Sequence, residues 1–207
     1  MHGKLRNHLA AIVAAALIVT LAAPGARAEG QCSGHDLLSK PRPPGSCADV
    51  KPEVFPAPDQ RTVAEVFPAD VSLYATPDME SRIVMIRAAD GASRNTLDYA
   101  SPKGANGYYV VVAAWSPDSQ YFAYSLSSSG GHSPWSFPLG VYSVKKNLFA
   151  SFNDMIGGRP TVSEQFKFTG PHSLTASTWK QQGDLDHQIP VTVDLDAMFA
   201  RLPGPLQ

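Results

Sequence analysis

Charge, cysteine and catalytic signatures are all scarce in this chain. Only 17% of its residues are charged, and 17 basic side chains nearly balance 18 acidic ones. A nucleic-acid binder shows its electrostatic footprint as a basic patch or stripe, and the sequence has none. No G-x-S-x-G, H-E-x-x-H, P-loop or G-x-G-x-x-G pattern occurs. The arrangements that announce nucleophilic hydrolysis, zinc proteolysis and phosphate or dinucleotide binding are therefore missing. His132 beside Ser133 does not replace them, because adjacency in sequence does not place an imidazole on a hydroxyl. Two cysteines, Cys32 and Cys47, with one nearby histidine, His35, fall short of a zinc ligand set. Nor is there a long amphipathic helical pattern. No metal, no cofactor and no catalytic residue is expected.

What is present begins with an export signal. Lys4 and Arg6 supply a positive start, and residues 9–23 form an uncharged apolar run. Pro24 and Gly25 break that run, and Ala26-Arg27-Ala28 places small residues where a signal peptidase needs them. The apolar run is shorter than the ~20 residues a helix needs to cross a bilayer. Cleavage is expected between Ala28 and Glu29, leaving no stable membrane anchor and a periplasmic or extracellular product. Losing Lys4, Arg6 and Arg27 with the leader would move the formal charge from −1 to −4 over the 179 remaining residues. An oxidising compartment makes a Cys32–Cys47 disulfide the expectation. Its loop of 14 intervening residues would stabilise an ordered segment by about 3 kcal/mol.

The chain then changes texture twice. Residues 29–70 hold seven prolines between Pro41 and Pro68. Proline fixes φ and lacks an N–H, so this stretch reads as an extended, disulfide-stapled arm without central strands. Residues 71–202 read as an antiparallel β domain, followed by a short tail at 203–207. Runs rich in β-branched and aromatic residues alternate there with Gly, Pro, Asp and Ser clusters. Strands are expected at 70–76, 82–88, 95–100, 108–115, 121–126, 139–144, 148–152, 163–168, 173–179 and 189–195. A short helix is expected at 197–202. Ala89-Asp90-Gly91 reads as a hairpin turn.

One hairpin stands out. Trp115 ends an apolar strand, Ser116-Pro117-Asp118-Ser119 makes a turn, and Phe122 and Tyr124 alternate with small residues on the next strand. This string resembles the W-S-P-D-G-x-x-[IL]-A-[FY] repeat of TolB-type β-propellers, with Ser119 at the family's glycine position. In the same resemblance, residues 83–91 look like the outer strand and turn of a preceding blade. Residues 139–144 fall where the third strand of the next blade begins. A weaker echo lies at 166–176 and 189–195, with Phe168 placed 53 residues after Trp115, near a blade-sized period. The resemblance implies an all-β fold of propeller-like blade units, packed as a compact sandwich or an open partial propeller. A closed ring needs about four or more blades, whereas two to two and a half are expected here, with a two-sheet packing favoured. The resemblance also implies a protein-interaction platform in the cell envelope.

Two loops are candidate sites. Residues 125–138 form a long Ser- and Gly-rich connection carrying His132, Trp135 and Phe137. Such loops often bind partners, although large aromatics more often anchor the connection. Asp184, Asp186 and His187 gather in a second loop, but two carboxylates are too few for calcium, and a solvated hairpin tip is expected. The functional expectation is an exported, non-catalytic binding or accessory module whose partner is another envelope protein. The alternatives are a small secreted hydrolase with an unrecognised site and an inhibitor-like protein acting through the 125–138 loop.

Overall fold

The computed structural model describes residues 52–68, 80–101, 106–130, 135–181, 183–184 and 186–202. Within them the chain forms three antiparallel meanders. The first sheet holds β1 (Glu53–Pro56), β2 (Thr62–Pro68), β3 (Ser81–Arg87) and β4 (Ser93–Asp98). The second holds β5 (Tyr108–Trp115), β6 (Tyr121–Ser128), β7 (Leu139–Ser143) and β8 (Leu148–Ser151). The third holds β9 (Thr161–Gly170), β10 (Ser173–Trp179) and β11 (Gln188–Asp194). Helix α1 (Phe152–Met155) follows β8, and α2 (Leu195–Ala200) follows β11. Every strand pairs with its sequence neighbours, the up-and-down order of propeller blades. The fold is all-β and propeller-like.

The expected strands at 108–115 and 173–179 have the observed limits of β5 and β10. The expected helix starts two residues earlier, because Asp194 caps α2 by accepting from the Ala197 amide at 3.0 Å. There are three sheets where two were favoured. Residues 53–68, expected as part of a strandless arm, supply two strands of the first sheet. β2 is a central strand, paired with both β1 and β3. Position explains why the prolines permit it. Pro56 ends the edge strand β1, Pro58 sits in the turn, and Pro68 is the last residue of β2, so the ladder from Thr62 to Phe67 is unbroken. The expected leader, Cys32, Cys47, the strand expected at 70–76 and the 203–207 tail lie outside the described residues.

The second sheet is the middle layer. Residues Tyr121 to Leu126 of β6 are all buried, and alternation sends them to opposite faces. Phe122, Tyr124 and Leu126 join Ala64, Val66, Ile83 and Met85 between the first two sheets. Tyr121 and Ala123 join Leu174, Ala176 and the α2 residues Leu195, Met198 and Phe199 on the other side. A strand buried on both faces needs an apolar run rather than strict polar alternation. Each large side chain buried this way contributes roughly 1.5–3 kcal/mol. The outer face of the third sheet is polar. There Thr175 shares hydroxyl contacts with Thr192 at 2.7 Å and Thr169 at 3.3 Å.

The Trp115 turn ties the three sheets together. Trp115 Nε1 donates to the Phe55 carbonyl of β1 at 2.8 Å. Ser119 adopts φ +66°, a conformation that favours glycine, and its Oγ accepts from the Asp59 amide at 2.9 Å. On the opposite side, Asp118 Oδ2 meets His172 Nε2 at 2.8 Å in the β9–β10 turn. His172 Nδ1 lies 2.6 Å from Asp196 Oδ2, and Tyr121 donates to Asp196 Oδ1 at 2.5 Å. The weaker sequence echo has a structural counterpart as well. Phe168 pairs with Leu174 across β9 and β10, as Trp115 pairs with Phe122 across β5 and β6.

Candidate functional site

A cleft lies between β4 and the second sheet. Its volume is about 380 Å³, within the range of small-ligand pockets. Leu97 and Tyr99 come from β4 and the residue just beyond it. Tyr108 opens β5, Leu126 and Pro138 flank the 125–138 loop, and Phe149 belongs to β8. Tyr124 forms the floor. Its ring lies over Gly140, its register partner on β7, where any Cβ would collide with the ring. Glycine at this position is what lets Tyr124 lie flat against the sheet.

The cleft is an aromatic cup with one polar focus. Tyr99 and Tyr124 meet edge-on at 6.0 Å between centroids, Tyr124 and Phe149 at 6.3 Å, and Tyr99 and Tyr108 at 6.4 Å. The Tyr99 and Tyr124 hydroxyls are 2.8 Å apart. Burial pushes Tyr99 up to about 12, against the hydrogen bond from Tyr124. Burial also pushes Tyr124 well above the ordinary phenol value. Both remain neutral phenols at physiological pH, so one shares its proton with the other and a hydroxyl hydrogen is left for a guest. Tyr108 sits at the mouth, 37% exposed. Such a cup can desolvate an apolar or aromatic group and offer it one hydroxyl contact.

The wall between the first two sheets is held by Glu80, a buried carboxylate just before β3. It accepts from the Ser101 amide at 2.6 Å, Ser101 Oγ at 2.8 Å, the Gly107 amide at 2.5 Å and Ser129 Oγ at 2.7 Å. Desolvation alone would raise its pKa, but the bonds from Ser129, Ser101 and Gly107 outweigh it and hold the group below its ordinary value. Gly107 approaches so closely that a Cβ there would strike both this carboxylate and the Tyr99 carbonyl.

Of the loop residues singled out in sequence, His132 lies outside the described residues. Trp135 stacks on Trp179 with centroids 4.8 Å apart and stays 42% exposed. Phe137 is tied to β9: its amide donates to the Thr161 carbonyl at 2.9 Å, and Thr161 Oγ1 donates back to the Phe137 carbonyl. The loop is therefore anchored at its C-terminal end, with Phe137 half-buried and Trp135 the more exposed of the described pair. In the second loop, Asp184 accepts from the His187 amide at 3.1 Å and contacts its Nδ1 at 2.9 Å. Among the described residues no cluster of three metal-ligating side chains forms. Sequence reading missed Leu97, Tyr99, Tyr108 and Phe149 because nothing local marks residues from different sheets as neighbours. The one available signal was the bulky face of β6, which carries Tyr124.

No protein-family model matches the chain, and no curated protein matches it. Among solved structures, the chain is similar to a candidate conserved lipoprotein from Clostridium novyi NT, at 11% identity and a TM-score of 0.44, covering 70% of this chain and 87% of that one. It is also similar to the β-propeller domain of the Trilobed protease from Pyrococcus furiosus, at 10% identity and a TM-score of 0.43, covering 72% and 40%. A third similarity is to U3-55K, at 12% identity and a TM-score of 0.38, covering 70% and 39%. Similarity at this level says nothing about activity. Among the described residues, no helix is long and apolar enough to cross a membrane.

Proposed function

We propose that this protein is an exported, non-catalytic binding module, and that the tyrosine cleft receives an apolar or aromatic side chain of a partner protein. The observation that carries the reading is the cleft itself: a volume of about 380 Å³ lined by tyrosine, phenylalanine and aliphatic side chains, with one hydroxyl pair at its base. Binding sites of this kind combine a large apolar lining with few, well-placed polar groups. Tyrosines at an open mouth supply contact area at low entropic cost. The signal-like pattern of residues 1–28 supports export, and the likeness of the Trp115 hairpin to TolB-type blades supports an envelope interaction platform.

The test uses the purified full chain as bait against an envelope extract. Wild type is expected to retain a stoichiometric protein partner. Leu97→Arg and Tyr108→Ala are expected to lose it while melting within a few degrees of wild type. Equal capture by all three proteins would remove the cleft from the interaction.

A further inference from the structure

We propose that a second site, separate from the tyrosine cleft, takes a compact oxyanion, a carboxylate or phosphate group, at the corner between the 157–160 turn and the end of β10. A cavity of about 190 Å³ lies there, walled by the turn and by Thr178, Trp179 and Lys180. The titratable groups in its described wall are Arg159 and Lys180, and both are cations.

The corner is rich in donors that lack a matching acceptor. Arg159 Nε donates to the Ile156 carbonyl at 3.0 Å, which pins the guanidinium to the turn and leaves its two terminal amino groups for another acceptor. Trp179 is 6% exposed, and its Nε1–H is buried with no hydrogen-bond partner. A buried donor without an acceptor bears the full desolvation penalty of that group, and native structures rarely tolerate one without a reason. Arginine, lysine and indole all donate and none accepts, so the complementary ligand is an acceptor carrying negative charge. A guanidinium fork matches the oxygens of carboxylate and phosphate.

The backbone leaves room for such a group. Gly157 and Gly158 take φ +74° and +71°, and nothing lies within 4 Å of where their Cβ atoms would stand. The turn therefore presents bare backbone to the cavity. Thr178 Oγ1 donates to the Pro160 carbonyl at 2.7 Å and closes the rear. Trp135, stacked on Trp179, places a reporter beside the site.

Tryptophan fluorescence of the full chain, titrated separately with inorganic phosphate and with acetate, tests the proposal. A saturable change with one of them, absent with sodium chloride at matched ionic strength, is expected, and the more effective anion identifies the source. Arg159→Gln and Trp179→Phe, the latter removing the donor while keeping a ring, are each expected to raise half-saturation at least tenfold. Lys180→Gln, at an exposed position, serves as the second variant should either of these melt early, and at least a threefold loss is expected from it. A response equal to that of sodium chloride, or variant curves that superimpose on wild type, would overturn the site.

Discussion

At Gly140 the absence of a side chain is itself a structural device. Tyr124 is fully buried and its ring fills the space a Cβ would take. Gly140→Ala must displace either the ring or the strand, and overpacking of this kind costs about 1–3 kcal/mol. A thermal melt should show a drop of several degrees, and the Tyr99–Tyr124 hydroxyl pair should be lost with it. An unchanged melting temperature would mean that the ring is free to move and that the cleft floor is not rigid. Ser119 shows the opposite compromise. It accepts an unfavourable φ of +66°, offset by the bond from the Asp59 amide to its Oγ.

Between elements, the Trp115 turn and His172 form a pH-sensitive joint linking the second sheet, the third sheet and α2. Hydrogen bonds with Asp118, then Asp196, raise the His172 pKa above its ordinary value of 6.5. A raised histidine contributes stability that is fully present below about pH 6.5 and is lost as pH climbs through the elevated value. The carboxylates act in the opposite sense. Desolvation works to raise Asp118, but Ser116, His172 and the Gln120 amide hold it below its ordinary value. The Tyr121 hydroxyl and then His172 lower Asp196. Their contribution is present above the ordinary value of 3.8 and is lost as pH falls through the depressed values. Melting temperature should therefore be highest between about pH 4 and 6.5, with a decline on the alkaline side that His172→Gln flattens. The His172 side chain is 43% exposed, so solvent screens the joint and added salt should shrink the effect. An alkaline decline of equal size in the variant would show that the joint contributes nothing.

For the whole molecule, the decisive contacts are those that fix one sheet against the next. Glu80 stands just before β3 yet gathers donors from the connection between the first two sheets and from the residue just past β6. Glu80→Gln keeps the shape, removes the charge, and turns one acceptor oxygen into an amide that faces amide and hydroxyl donors. Hydrogen bonds to charged groups contribute about 1.5–3 kcal/mol each, so a loss of about 2–3 kcal/mol is expected at neutral pH. The folded pKa is depressed, so this contribution is present above the ordinary value of 4.5 and disappears as pH falls through the depressed one. Wild type and variant should therefore converge in acid, which denaturant midpoints at two pH values would reveal. A constant gap between them would mean that the carboxylate's charge plays no part.

The sequence by itself determined the β class, the limits of β5 and β10, and the turns around Trp115 and Gly91, because alternation and turn chemistry act over a few residues. It misjudged residues 53–68, where counting prolines outweighed asking where each one falls; at strand ends and in a turn they cost the ladder nothing. Tertiary structure alone decided the rest. Leu97, Tyr99, Tyr124 and Phe149 make one cleft only because two sheets pack face to face, and the partner of the orphan Trp179 donor is a question that arises only once β10 is buried. Glu80 looks in sequence like any charged residue. Its role depends on donors 21, 27 and 49 positions away, and no local pattern encodes contacts at that range.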